Sequence, residues 1–140
     1  MNNKTIAVLC LVAAFFLNMG GGGGLNPVGP PSPVPGSGLH VLVVEDRLNR
    51  RDLPAEQFDA MMSADVDELI RKNNGRKYLY DQNQDVSNKD DPWVKDAMKV
   101  PRPSLPWLVL DNNGKGTSEA FPKGPQAVSD FKTKIQQYLK

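Results

Sequence analysis

Apolar and polar positions alternate between three regimes along the chain. Thr5–Met19 (TIAVLCLVAAFFLNM) carries no charge, and one cation, Lys4, precedes it. A short charged start followed by an apolar run is the pattern of an export signal, so residues 1–25 are expected to be a cleaved signal peptide or an uncleaved membrane anchor. Asn26–Gly38 (NPVGPPSPVPGSG) holds five prolines. Proline fixes φ and removes a backbone donor, so residues 26–38 are expected to stay outside helix and sheet as an extended linker. Residues 39–140 then show the mixed periodicities of a folded domain.

Leu39–Glu45 (LHVLVVE) is a nearly continuous apolar run and predicts a buried central strand. Phe58, Met61, Met62, Val66, Leu69 and Ile70 fall at helical spacing, with Pro54 before them and Gly75 after. Ser63 is a good N-cap and divides this stretch into two helices. Arg76–Asp81 predicts a second strand with Tyr78 and Tyr80 on one face, and Pro92–Val100 a short helix. Trp107–Asp111 and Thr117–Phe121 predict strands joined through the Asn113-Gly114 turn. Gly124 and Pro125 predict the start of a last helix carrying Val128, Phe131, Ile135, Tyr138 and Leu139. The order is β-α-β-α-β-β-α, an α/β domain with a four-stranded mixed sheet flanked by helices.

Composition narrows the function classes. The 140 residues include one Cys, Cys10, and one His, His40. Residues 39–140 have no Cys, which excludes disulfide staples, thiolate zinc sites, iron–sulfur clusters and a Cys nucleophile there. They carry 16 cations against 16 acids, so there is no basic footprint for nucleic acid. No phosphate-binding glycine loop or serine elbow is found, and no cofactor is expected.

Ser104-Leu105-Pro106-Trp107-Leu108-Val109-Leu110-Asp111, followed by Asn113-Gly114-Lys115 and a Pro122-bearing approach to the terminal helix, resembles the thioredoxin-like fold. The resemblance spans residues 39–140 and implies that Pro106 is a cis-proline ahead of the third strand. It also implies that extended peptides are engaged through the backbone of Leu105, with Trp107 and the Arg47, Arg50 and Arg51 loop as rim. The departure lies where the redox members carry Cys-x-x-Cys. Here Asp46–Leu53 contains no Cys, Ser or Thr, so a redox-inactive member is implied.

Other clusters have simpler readings. Asp81, Asn83, Asp85 and Ser87, with Asp90 and Asp91 behind them, place oxygens at alternate positions as a calcium loop does. Val86 stands where the turn needs glycine and Pro92 where a bidentate Glu is needed, so an EF-hand is rejected and only a weak cation loop is left. The alternative is a solvated loop in which Asp90 or Asp91 caps the following helix. Arg47, Arg50 and Arg51 are expected either to hold an anion or to pair with Asp46 and Asp52. His40, with no second His or Cys in residues 39–140, is expected to be structural. The expected protein is a noncatalytic, exported binding module, secreted or periplasmic, or membrane-tethered. Its partner would be a protein or peptide. The alternative is an envelope or virion assembly protein without a ligand groove.

Overall fold

The computed structural model describes residues 30–140. The signal or anchor expected at 1–25 and the first linker residues, 26–29, lie outside the described residues. Four strands and four helices form a mixed α/β unit. They are β1 (Leu39–Glu45), α1 (Ala55–Met61), α2 (Ala64–Lys72), β2 (Arg76–Asp81), α3 (Pro92–Ala97), β3 (Trp107–Asn112), β4 (Lys115–Ala120) and α4 (Ala127–Gln137). A single turn of 3-10 helix, Arg50–Asp52, lies between β1 and α1. The sheet order is β2-β1-β3-β4, with β2 parallel to β1 and the other two pairs antiparallel.

All seven residues of β1 are buried, because the strand is central in the sheet and covered on both faces. Leu39, Val41 and Val43 join Leu108, Leu110, Phe121, Phe131 and Ile135 under α1, α2 and α4. Leu42 and Val44 join Val109, Trp93, Val94 and Ala97 under α3. An apolar run with no polar face is therefore a strand with two cores.

Ser63 does divide the first helical stretch. Its hydroxyl accepts from the Val66 N–H at 3.4 Å at the head of α2. The joint has a consequence that periodicity did not show. Helical phase is broken between Met61 and Ala64, so Met62 turns outward and is 52% exposed. The Asn113-Gly114 turn has φ of 53° and 86°, the paired positive values a tight hairpin of this kind needs. β4 starts at Lys115, two residues earlier than expected, because the two-residue turn lets pairing begin at once. The last helix begins later than expected, at Ala127. Gly124 has φ of 86° and the Ala127 N–H closes a turn onto its carbonyl, so Gly124 and Pro125 belong to the approach.

The linker expectation is corrected for its second half. Pro31 forms an isolated antiparallel bridge with Lys115, the Ser32 N–H donates to the Gly114 carbonyl at 2.9 Å, and the Gly116 N–H donates to the Pro30 carbonyl at 3.2 Å. Further along, the Val34 carbonyl accepts from Trp93 Nε1 at 2.7 Å, and Gly36 and Gly38 donate to the side chains of Asp111 and Asn113. Proline removes its own donor, but the Ser and Gly residues between the prolines keep theirs, and those donors tie the segment down. Pro30–Gly38 is thus a strap across the end of the sheet and part of the folded unit. No helix among the described residues is long and apolar enough to cross a membrane.

Candidate functional site

The register places the expected site residues at one end of the sheet. Val44 lies opposite Trp107, so the next residue of β1, Glu45, ends its strand beside Pro106. The Leu105–Pro106 peptide is cis. The Pro106 carbonyl is taken by the Phe121 N–H at 3.0 Å, and Trp107 Nε1 donates to the Ser118 hydroxyl at 2.8 Å. Leu105 differs from its neighbours. Its N–H and C=O enter no hydrogen bond with the described residues. It lines a groove of about 280 Å³ with Gln82, Met98, Lys99, Val100, Pro101 and Arg102.

The arginines divide. Arg50 is bound to the Glu45 carboxylate through two guanidinium nitrogens, with Nε donating to Oε2 at 2.8 Å and Nη2 donating to Oε1. Arg47 Nε stands 3.7 Å from the same carboxylate, and its backbone N–H donates to Asp81 at 2.8 Å. The hydrogen bonding to the Glu45 carboxylate raises the Arg50 guanidinium above its usual range. The expected pairing with Asp46 and Asp52 is corrected here, because the wholly buried Glu45 needs a partner more than a solvated acid does. Arg51 is exposed and forms no ion pair among the described residues. Arg50 therefore holds the β1–α1 loop down, and only Arg47 and Arg51 are left to serve as rim.

The residues of the cation loop are placed apart and used locally. Asp81 accepts the N–H groups of Arg47 and Asn83, which hold its carboxyl below the usual carboxylate range. Asp85 accepts the Ser87 N–H, with the same effect on its own carboxyl. Asp90 is exposed. Asp91 caps α3 by accepting the Trp93 N–H at 3.0 Å, and it accepts the Tyr78 hydroxyl as well. Among the described residues, no group of three or more His, Cys, Asp or Glu is placed to hold a metal ion.

Three buried polar groups carry weight that the sequence reading did not assign. Glu45 is one. Asp111, also wholly buried, accepts the N–H groups of Gly36 at 2.9 Å and Gly114 at 3.0 Å, and burial pushes its carboxyl up. His40 is the third. It is 8% exposed and stacked on Trp93 with centroids 4.8 Å apart. Its Nε2 lies 2.9 Å from the Ser37 carbonyl, which only accepts, so Nε2 carries the proton. Its Nδ1 has no hydrogen-bond partner and stands 3.7 Å from Asp91. His40 lines, and Asp111 through Gly36 underlies, a larger cleft of about 490 Å³ at the end of β1 away from Glu45, between the strap, Arg76, Asp91 and Trp93. A signal was present for two of them. Glu45 and Asp111 each close an apolar strand run, where a carboxylate must be either solvated or specifically paired.

Comparison with protein-family models, with curated proteins and with solved structures finds no match for this chain. The functional reading therefore stands on the site itself.

Proposed function

We propose that the chain is a redox-inactive, thioredoxin-like binding module that receives an extended peptide at Leu105. The element order and the sheet order β2-β1-β3-β4 support that fold reading. The observation that carries the function is the free backbone of Leu105 beside the groove of Gln82, Met98, Val100 and Arg102. An extended segment gains affinity by satisfying such main-chain groups and selectivity from side chains alongside them. Arg102 keeps its charge for that role, since its donors go to the Met98 and Val100 carbonyls and to no carboxylate. A peptide with an acidic side chain or a terminal carboxylate fits this rim. Thiol–disulfide exchange is not part of the reading, because the loop after β1 has no Cys. Export, with residues 39–140 outside the cytoplasm and a membrane anchor if residues 1–25 are retained, completes the proposal.

Selection from a random-peptide library tests it. Peptides enriched on the wild-type chain should share an acidic position. They should lose binding to Leu105→Pro, which removes the free N–H, and to Arg102→Glu, which reverses the rim charge. Equal retention by both variants, at unchanged thermal stability, would remove Leu105 from the function.

A further inference from the structure

The end of the sheet away from β4 is an open edge. β2 has β1 as its one strand neighbour, and apart from the Gln84 N–H, which turns back onto the Asp81 carbonyl at 2.9 Å, no described segment outside β1 sends a backbone hydrogen bond to Arg76–Asp81. Arg76, Lys77 and Asp81 put charge on the edge, but no proline stands in Arg-Lys-Tyr-Leu-Tyr-Asp and no bulge interrupts it, since its six residues pair in unbroken register with β1. Beside it lies a groove of about 350 Å³ lined by Met62, Asp67, Ile70, Arg71, Lys77 and Leu79, which includes the outward-turned Met62.

We infer that β2 pairs antiparallel with β2 of a second copy of this chain, across a two-fold axis at Leu79. A two-fold axis that continues a sheet preserves its faces, so opposite residues must share a face and the residue on the axis must meet itself. Centring the axis on Leu79 sets Lys77 opposite Asp81 of the partner subunit, twice over. It also sets Tyr78 opposite Tyr80 of the partner subunit, on the α3 face. Opposite charges and aromatic pairs at directly facing positions stabilise an antiparallel pair. The neighbouring registers lose this: centring on Lys77 opposes two lysines, and centring on Tyr78 or Tyr80 sets a charged side chain against Leu79. Lys77 can keep its contacts to the Met61 carbonyl and Asp67, and Asp81 its two backbone donors, because the seam adds facing charge without requiring either to turn. This pairing is independent of the groove at Leu105.

Cysteine cross-linking of the full chain in detergent micelles tests the pairing. Cys10→Ser supplies a background with no other thiol. Leu79→Cys in that background should oxidise to a covalent dimer well ahead of Ser129→Cys, an exposed control on α4, since facing side chains start about 4.5–5.5 Å apart at Cβ. Lys77→Cys alone should stay uncross-linked, whereas mixing it with Asp81→Cys should give the dimer. Sedimentation of the unmodified chain should show reversible, concentration-dependent dimerisation. The inference is overturned by a chain that sediments as a monomer throughout, by Leu79→Cys reacting no faster than the control in a folded protein, or by Lys77→Cys linking to itself.

Discussion

Glu45 and Arg50 form the pair on which the β1–α1 loop depends. Glu45 is wholly buried, and Arg50 reaches it from the surface with two parallel bonds, the geometry in which a guanidinium satisfies both carboxylate oxygens. Removing one partner leaves a buried charge. Arg50→Met should cost about 3 kcal/mol in urea unfolding, toward the low end for breaking a buried pair because Arg50 is partly solvated. The double change Glu45→Leu with Arg50→Met should recover most of that loss, since no charge is then stranded. A double variant as unstable as the single one would show that the loop is held by something else. Tyr78 makes a second residue-scale test. Burial, with the Asp91 hydrogen bond, raises its hydroxyl to about 12 from 10.0. The folded chain therefore keeps this proton while the unfolded chain releases it. Its contribution to stability is complete below pH 10 and is lost as the pH rises through 12. Thermal melts from pH 9 to 12 should fall more steeply for the wild type than for Tyr78→Phe.

The strap is the element that periodicity alone could not place. Strand and helix patterns in residues 39–140 were readable because burial on one or both faces leaves a period of two or 3.6 in the side chains. Leu39–Glu45, the Ser63 break and the Asn113-Gly114 turn all follow from such local rules. Pro30–Gly38 has no period, and its anchors are backbone donors whose acceptors lie about 75 residues away at Asp111 and Asn113. The same limit explains the candidate site. Leu105, Pro106 and Trp107 were legible as a local run. The pairing of Arg50 with Glu45 required knowing that Glu45 points into the larger core, where Asp46 and Asp52 do not follow it. Comparing a chain that begins at Pro30 with one that begins at Leu39 in urea unfolding measures what this docking contributes. The one beginning at Leu39 loses seven hydrogen bonds: Ser32, Gly36 and Gly38 no longer donate to the Gly114 carbonyl, Asp111 and Asn113, and the Gly116 and Asn113 N–H groups, Trp93 Nε1 and His40 Nε2 lose the Pro30, Gly38, Val34 and Ser37 carbonyls. At about 0.5–1 kcal/mol each it should be less stable by roughly 4–7 kcal/mol. Equal midpoints for the two truncations would return the strap to the status of a linker.

At the scale of the whole molecule the sheet separates two cores of unequal strength. The larger lies under three helices and contains Met61, Val66, Leu108, Phe131 and Ile135. The smaller lies under α3, six residues long, and is closed at one end by the strap through Val34 and Trp93. A short helix has little stability of its own, so α3 is held by packing and by its Asp91 cap. The candidate groove takes Met98 and Val100 from just beyond this helix, so it is built on the weaker side of the molecule. Binding loops are commonly drawn from such regions, because a surface that must adapt to a ligand cannot also be the last to open. Hydrogen exchange should resolve the two layers. Amides of β1, β3 and α4 should exchange only on global unfolding, whereas those of α3 and the strap should open together at lower free energy. Asp111→Ala strands the Gly36 and Gly114 N–H groups and should speed exchange in the strap and α3 while α4 remains protected. Loss of protection in α4 to the same degree would mean that the sheet does not insulate its two faces, and that a peptide held at Leu105 would be felt throughout the fold.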